Sequence, residues 1–337
     1  MIFGRARFTA AVEEFEGAVQ AKDVDAAEAA FGRLTGAFGK ARDKELHEAG
    51  PRLAALLPEV PPGPRAVVAV MTGACAERGA DPVACAPGVL AAARDAFDQA
   101  AVFCERWAAA GREEMPGHEG EGMEEGDLDR FGFEPVVAWQ SLPRFEMACV
   151  AMLNSPRGRR GATGREPLQA AVARVQELSG EQFKCLVYAL AVLDDEPVVA
   201  LDRATGAGFA LRISGIGDNF QLHTLLADAL ISRGLVAGDA PSTEAVARCR
   251  DEAGMVHTHG SFNLVGADGE WIWNEGNPAD IPVVDGVRVV VLDPPPYQRS
   301  WPAGRFFPGM TGELVYERAL APEESAALLA QVAAPVR

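Results

Sequence analysis

Two histidines one residue apart, in His257-Thr258-His259, are the sharpest chemical feature of this chain. If the segment is a strand, its period of two puts both imidazoles on one face. Two imidazoles on one face are half of a zinc site, or part of an iron site. A third ligand would have to come from elsewhere, and Asp268, His223 and Glu275 are the candidates. Zinc or iron enters the reading only through these residues; nothing else in the sequence calls for a cofactor.

A second candidate lies at residues 211–230, which read as a strand end, a glycine turn and an amphipathic helix. Free N–H groups at such a helix start, aided by its dipole, can hold an anion. Asp218, Asn219 and His223 are the polar groups placed there. The plainer account is that Gly215 and Gly217 permit a tight turn and that Asp218 or Asn219 caps the helix. His223 falls at the edge of the apolar side marked by Leu222, Leu225 and Leu226, so it reads either as a catalytic base or as a buried, hydrogen-bonded ring. The full GxGxxG pattern is missing, and the preceding strands read as antiparallel, which argues against a dinucleotide site.

The third region concentrates aromatics that make up only 7% of the chain: Trp271, Trp273, Tyr297, Trp301, Phe306 and Phe307. Arg299 and Arg305 interleave with them, and aromatic and arginine side chains together make binding hot spots. Trp271 and Trp273 share one face of their segment. They either fill a core under proline-rich loops or form an interface. Asp293, Tyr297 and Arg299 sit on long irregular loops of the kind that wall a binding cleft.

The run from Val256 to Ser261, VHTHGS, resembles the His-x-His core of the MPN-type metalloproteases. In that family a Ser-x-x-Asp element follows with a further ligand, and an upstream glutamate is the base. Here Asp268 comes too soon and no Ser-x-x-Asp precedes it. The cupin pattern fails as well, since Asn263 and Leu264 stand where its glutamate belongs. No GxSxG elbow, Walker loop or HExxH motif occurs. With no catalytic signature complete, the expected function is binding, of a partner protein or a small ligand. A metal-dependent hydrolase using His257 and His259 is the alternative, and a scaffold built on the first helices is a third reading.

Charge narrows the partners. The 48 acidic and 31 basic residues leave a net charge of −17, a field that repels nucleic acid and anionic membranes. No apolar run reaches the length of about 18 residues that a membrane span needs, and residues 1–7 carry no leader pattern. The six cysteines are scattered without a CxxC pair. They read as small buried hydrophobes in a reducing compartment, so the cytoplasm is expected. Abundant Ala, Gly, Val, Arg and Pro with few Lys resembles the proteins of GC-rich bacteria.

These sites must be positioned by the elements around them. A chain of 337 residues suggests two domains or more. Helical spacing of apolar residues covers most of the first 155 residues, starting with a helix pair at 8–21 and 26–46. Its link, residues 22–34, resembles the inter-helix turn of tetratricopeptide-type repeats, though only one such unit is visible. Segment 113–129 holds eight acidic residues and four glycines and reads as an exposed acidic loop. Arg157, Arg159, Arg160 and Arg165 follow in a Gly-rich linker taken as the domain boundary. Pro87 and Pro143 are placed in first helical turns, with Ser141 as a cap, and Ser179 with Gln182 as a capping box. From residue 197 the period changes to two. Hairpins are expected at 198–201 with 209–213, at 255–265 with 270–273, and at 281–284 with 287–292 across Asp285-Gly286. The fold class is therefore α+β: a helical domain over 1–155, then an antiparallel-sheet domain over 166–337 with a cleft lined by 215–223, 257–259 and 293–307.

Overall fold

A computed structural model describes residues 5–336, with side chains from Phe8 onward. The expectation about a leader in residues 1–7 rests on side chains outside the described residues. The chain divides into two compact units, Met1–Leu190 and Ala191–Arg337. It is an α+β protein, helical first, and among the described residues the strands all lie in the second unit.

The first unit holds α1 (Arg5–Gln20), α2 (Val24–Phe38), α3 (Asp43–Leu56), α4 (Pro62–Glu77), α5 (Pro82–Ala109), α6 (Asp127–Phe131), α7 (Phe133–Leu153), α8 (Pro156–Gly161), α9 (Arg165–Ser179) and α10 (Lys184–Ala191). The first two form the expected helical hairpin, although the second helix, expected over 26–46, ends at Phe38 and residues 43–46 open α3. Lys22 turns the chain at a φ of 57°, and Asp23 starts α2 by accepting from the Ala26 N–H at 3.0 Å. The core lies between α5 and α7, where Phe97, Phe103, Trp107, Trp139 and Phe145 are buried.

Several local expectations give way here. Asp81 and Pro82 begin α5, so Pro87 lies inside it. Ser141 caps nothing: its hydroxyl donates to the Val137 carbonyl within α7 at 2.6 Å. Ser179 ends α9, its hydroxyl donating to Val175 O and accepting from the Glu181 N–H. The basic linker is largely helix, and Arg159 is buried with Nη1 on the Leu153 carbonyl. Helices α9 and α10 belong with the first unit, so the division falls at 190/191 and not between 155 and 166. The acidic segment 113–129 is mostly exposed but stitched down. Trp107 and Trp139 donate their indole N–H to Glu114 O and Pro116 O, and buried Asp127 accepts from the Glu124 N–H at 2.8 Å. Two anchoring tryptophans, from α5 before the segment and α7 after it, supply what the segment's own composition lacks.

In the second unit β1 (Glu196–Asp202) and β2 (Ala207–Ser214) form the first hairpin, followed by α11 (Asn219–Ile231) and α12 (Thr243–Arg250). Then come β3 (Val256–His259), β4 (Asn263–Gly266), β5 (Val283–Val284), β6 (Val287–Asp293), β7 (Ser300–Ala303), β8 (Glu313–Ala319) and α13 (Pro322–Leu329). The main sheet runs β4-β6-β1-β2-β8, with β5 on β6. It is mixed, not purely antiparallel, because β1 and β6 pair in parallel. Both central strands are buried on two faces, which accounts for their unbroken apolar runs. Val198, Ala200, Val290 and Leu292 face the cluster that includes Leu222, Leu226 and Leu230 of α11. Val199, Leu201, Val289 and Val291 face the cluster that includes Leu328 and Leu329 of α13. The β5–β6 hairpin turns at Asp285 and Gly286, both at positive φ (50° and 82°), as a two-residue primed turn requires.

The hairpin expected between 255–265 and 270–273 forms only in its inner half: Val265 bridges Trp271, the Gly266 N–H donates to Glu270 O at 2.8 Å and the Ile272 N–H to Leu264 O at 2.9 Å. The outer half goes elsewhere, since strand β3 pairs with β7 in a separate two-stranded sheet, and β4 also pairs with β6. Local turn signals gave β4 its near partner, and burial of Leu264 and Val265 against β6 adds a distant one.

Candidate functional site

The turn before α11 is a closed joint. Gly215 adopts a φ of 66°, and Asp218 caps the helix by accepting from the Gln221 N–H at 2.8 Å. Loop 273–277 folds over the helix start. The Asn219 and Phe220 N–H groups donate to Gly276 O at 3.0 Å and Asn274 O at 3.1 Å. In return Asn219 Nδ2 donates to Trp273 O, and Asn277 Nδ2 to Gly217 O. The Gly217 N–H is taken by Gln221 Oε1 at 3.0 Å. The orphan donors that would cradle an anion are thus consumed inside the protein. Asn219 clamps the loop through its amide nitrogen, and Glu275 belongs to that loop.

His223 lies one turn further, fully buried. Its ring stacks on Phe262 at 4.6 Å and meets Trp301 edge-on at 4.8 Å. The Ser261 N–H donates to its Nε2 at 3.3 Å. Burial, seconded by the Arg299 charge, pushes its pKa down to about 3. A neutral imidazole without solvent access holds the 260–262 segment in place and does not act as a general base.

His257 and His259 take the arrangement their spacing implies. Both are exposed on one face of β3, while Thr258 between them is buried, opposite Trp301 of β7. The Gly260 N–H donates to Arg299 O at 2.9 Å. In this antiparallel register the alternate residues His257 and His259 aim their backbone groups away from β7. The proposed metal set does not assemble. Asp268 sits in the turn after β4, where its Oδ1 accepts from the Glu270 N–H. Buried His223 is committed to Ser261. Among the described residues, no group of three His, Cys, Asp or Glu side chains converges.

The aromatic–arginine region divides in a similar way. Trp301 is in the core. Asp293 is paired with Arg203 at 2.6 Å. The Arg305 guanidinium donates to Met310 O and Glu252 O, fastening loops. Arg299 donates to Phe262 O and Asn263 Oδ1 and holds its guanidinium 6.0 Å from the Tyr297 ring centre. Trp271 is half-buried against the α13 side of the sheet, with exposed Trp273 6.4 Å away. Only Tyr297, 58% exposed, joins the histidines.

It does so across a groove of about 520 Å³ lined by segments 238–242, 257–261 and 295–298. Segment 238–242 was missed by sequence reasoning. Its Gly, Pro and Ser mark a loop leading into α12, but nothing in it marks chemistry. Ser261 ties it to the end of β3 by donating its hydroxyl to Asp239 O at 2.7 Å. The groove therefore offers two imidazoles, a phenol, the Gln298 amide and β3 backbone groups between two proline-containing walls. That set can donate and accept hydrogen bonds and stack on a planar group.

No family model matches the chain, and no curated protein and no solved structure matches it.

Proposed function

We propose that the second unit is a binding module whose site is the groove beside β3. A single observation carries this reading: three segments far apart in sequence converge on one polar groove, and the exposed groups of His257, His259 and Tyr297 border it. A volume of about 520 Å³ falls within the range of about 300–1,000 Å³ typical of ligand sites. The occupant is a small polar ligand, or the segment of a partner protein that presents equivalent groups. The hydrolase alternative needs a third ligand beside His257 and His259, and the described residues do not bring one there. The scaffold reading leaves the groove without a role.

A bacterial, cytoplasmic setting fits the cysteines. Five of the six are buried and free, and burial raises their thiol pKa values, to about 12 for Cys75 and Cys104. Such thiols suit a reducing compartment.

The test is a fragment screen of small polar and aromatic compounds, read by amide chemical shifts of the whole protein. Perturbations are expected to gather on 238–242, 257–261 and 295–298 and to vanish in a His259→Ala/Tyr297→Ala variant that keeps its unfolding temperature. Hits that gather elsewhere, or that survive the double substitution, would sink the proposal.

A further inference from the structure

The first unit carries a second cavity, unrelated to the groove beside β3. It has a volume of about 550 Å³ and opens between the α1–α2 hairpin and the single-turn helix Leu57–Glu59. Its floor is apolar. Phe15, Val19 and Val60 are buried at its base, and Phe31 leans on Phe15 with ring centres 5.6 Å apart. Val24 stands at the mouth, 72% exposed, where a valine gains nothing from water.

The rim differs in kind. Asp23, Glu28 and Glu59 supply three carboxylates against one cation, Lys22. Asp23 spends one oxygen on capping α2. Glu28 and Glu59 are exposed, and among the described residues neither has an ion pair or a hydrogen bond. Two carboxylates of α1 are matched to arginine, Glu14 with Arg33 at 2.7 Å and Glu16 with Arg52 at 2.5 Å, whereas Glu28 and Glu59 border the cavity. A concave apolar floor under unmatched negative charge is complementary to a molecule with an apolar body and a positive head.

We infer that this cavity is a binding site for a small amphiphile with an ammonium or guanidinium head, its body resting against Val24, Ala27, Phe31 and Pro61 and its head on Glu28 and Glu59. Ala27 and Phe31 are half-buried and Val24 and Pro61 exposed, so this apolar wall meets solvent without a conformational change. It also gives the exposed Val24 a role at the entrance.

Three probes with one body and different heads test the inference: 4-phenylbutylamine, 4-phenylbutanol and 4-phenylbutyrate. Binding to the full chain is followed by calorimetry and amide shifts at low ionic strength, where surface charges are least screened. The amine is expected to bind about tenfold more tightly than the carboxylate, a difference of about 1.4 kcal/mol, with shifts centred on residues 15–31 and 59–64. Ala27→Trp, which fills the cavity from its wall, should abolish binding of all three probes. Glu28→Gln/Glu59→Gln lies wholly on the exposed rim, so folding is retained; it should erase the amine's advantage and leave the alcohol's affinity unchanged. Equal affinity for amine and carboxylate, no binding by any probe, or binding indifferent to Ala27→Trp in a protein of normal unfolding temperature would each overturn the inference. So would a dimer in sedimentation that Ala27→Trp dissociates, since a second copy would then be the occupant.

Discussion

Acidification should loosen the second unit through one side chain, His223. Its imidazole is buried between Phe262 and Trp301, with Nε2 accepting from the Ser261 N–H, and burial with the Arg299 charge lowers its pKa to about 3. In the unfolded chain it returns to about 6.5. The unfolded state therefore binds the proton more tightly, so this contribution is fully present above pH 6.5 and is lost as pH falls toward the folded value. With the folded group at about 3, linkage gives a loss of about 2 kcal/mol at pH 5, against about 0.2 kcal/mol at pH 7. The perturbation is the step from pH 7 to pH 5, and the control is His223→Gln, which keeps an acceptor but does not titrate. Urea unfolding of both proteins at both pH values isolates the term as a difference of differences. Amide signals of residues 260–262, next to the ring, report on the right unit, since tryptophan fluorescence would include Trp107 and Trp139 of the first unit. Equal losses for the two proteins would refute the reasoning. So would an imidazole that titrates near 6.5 in the native protein, because burial could not then be holding it neutral.

Other consequences follow from the same contacts. Gln221 receives the Gly217 N–H and donates Nε2 to Cys249 O at 2.7 Å, so Gln221→Leu strands two buried backbone groups; at about 1–3 kcal/mol each the urea midpoint should fall by the equivalent of about 2–6 kcal/mol. Asp127→Ala releases the Glu124 N–H and removes the weaker of the two carboxylates on Arg112, which keeps Glu124, and limited proteolysis should then cut faster within 113–126 with α5 and α7 intact. His257→Ala and His259→Ala remove exposed side chains and should change stability by less than about 0.5 kcal/mol in thermal unfolding. Protein purified without a histidine tag should carry no near-stoichiometric zinc or iron by mass spectrometry. Bound metal lost in both histidine variants would restore the hydrolase reading.

Legibility in the sequence tracked the range of the interaction. The Asp218 cap of α11 and the Asp285-Gly286 turn were readable, because each depends on residues within a few positions. The face shared by His257 and His259 was readable for the same reason, since strand period alone sets it. The partners of those residues were not. Asn219 looked available for an anion because the loop 54 residues downstream that takes its amide leaves no local trace. Trp301 and Tyr297 looked alike in an aromatic-rich stretch, yet one is core and the other lines the groove, and only the register of β7 on β3 tells them apart.

What the amino-acid order determined by itself is the α+β class, the change of period near residue 197, the start of α11 at Asp218 and the Asp285-Gly286 turn. These follow from backbone sterics and nearest-neighbour hydrogen bonds. Tertiary structure alone decided the parallel pairing of β1 with β6, the transfer of α9 and α10 to the first unit, the sealing of the α11 turn, the burial of His223 and the assembly of the groove from three separated segments. Each of those depends on which apolar surfaces meet. Burial free energy is non-directional and summed over the whole chain, so no short stretch of sequence encodes it.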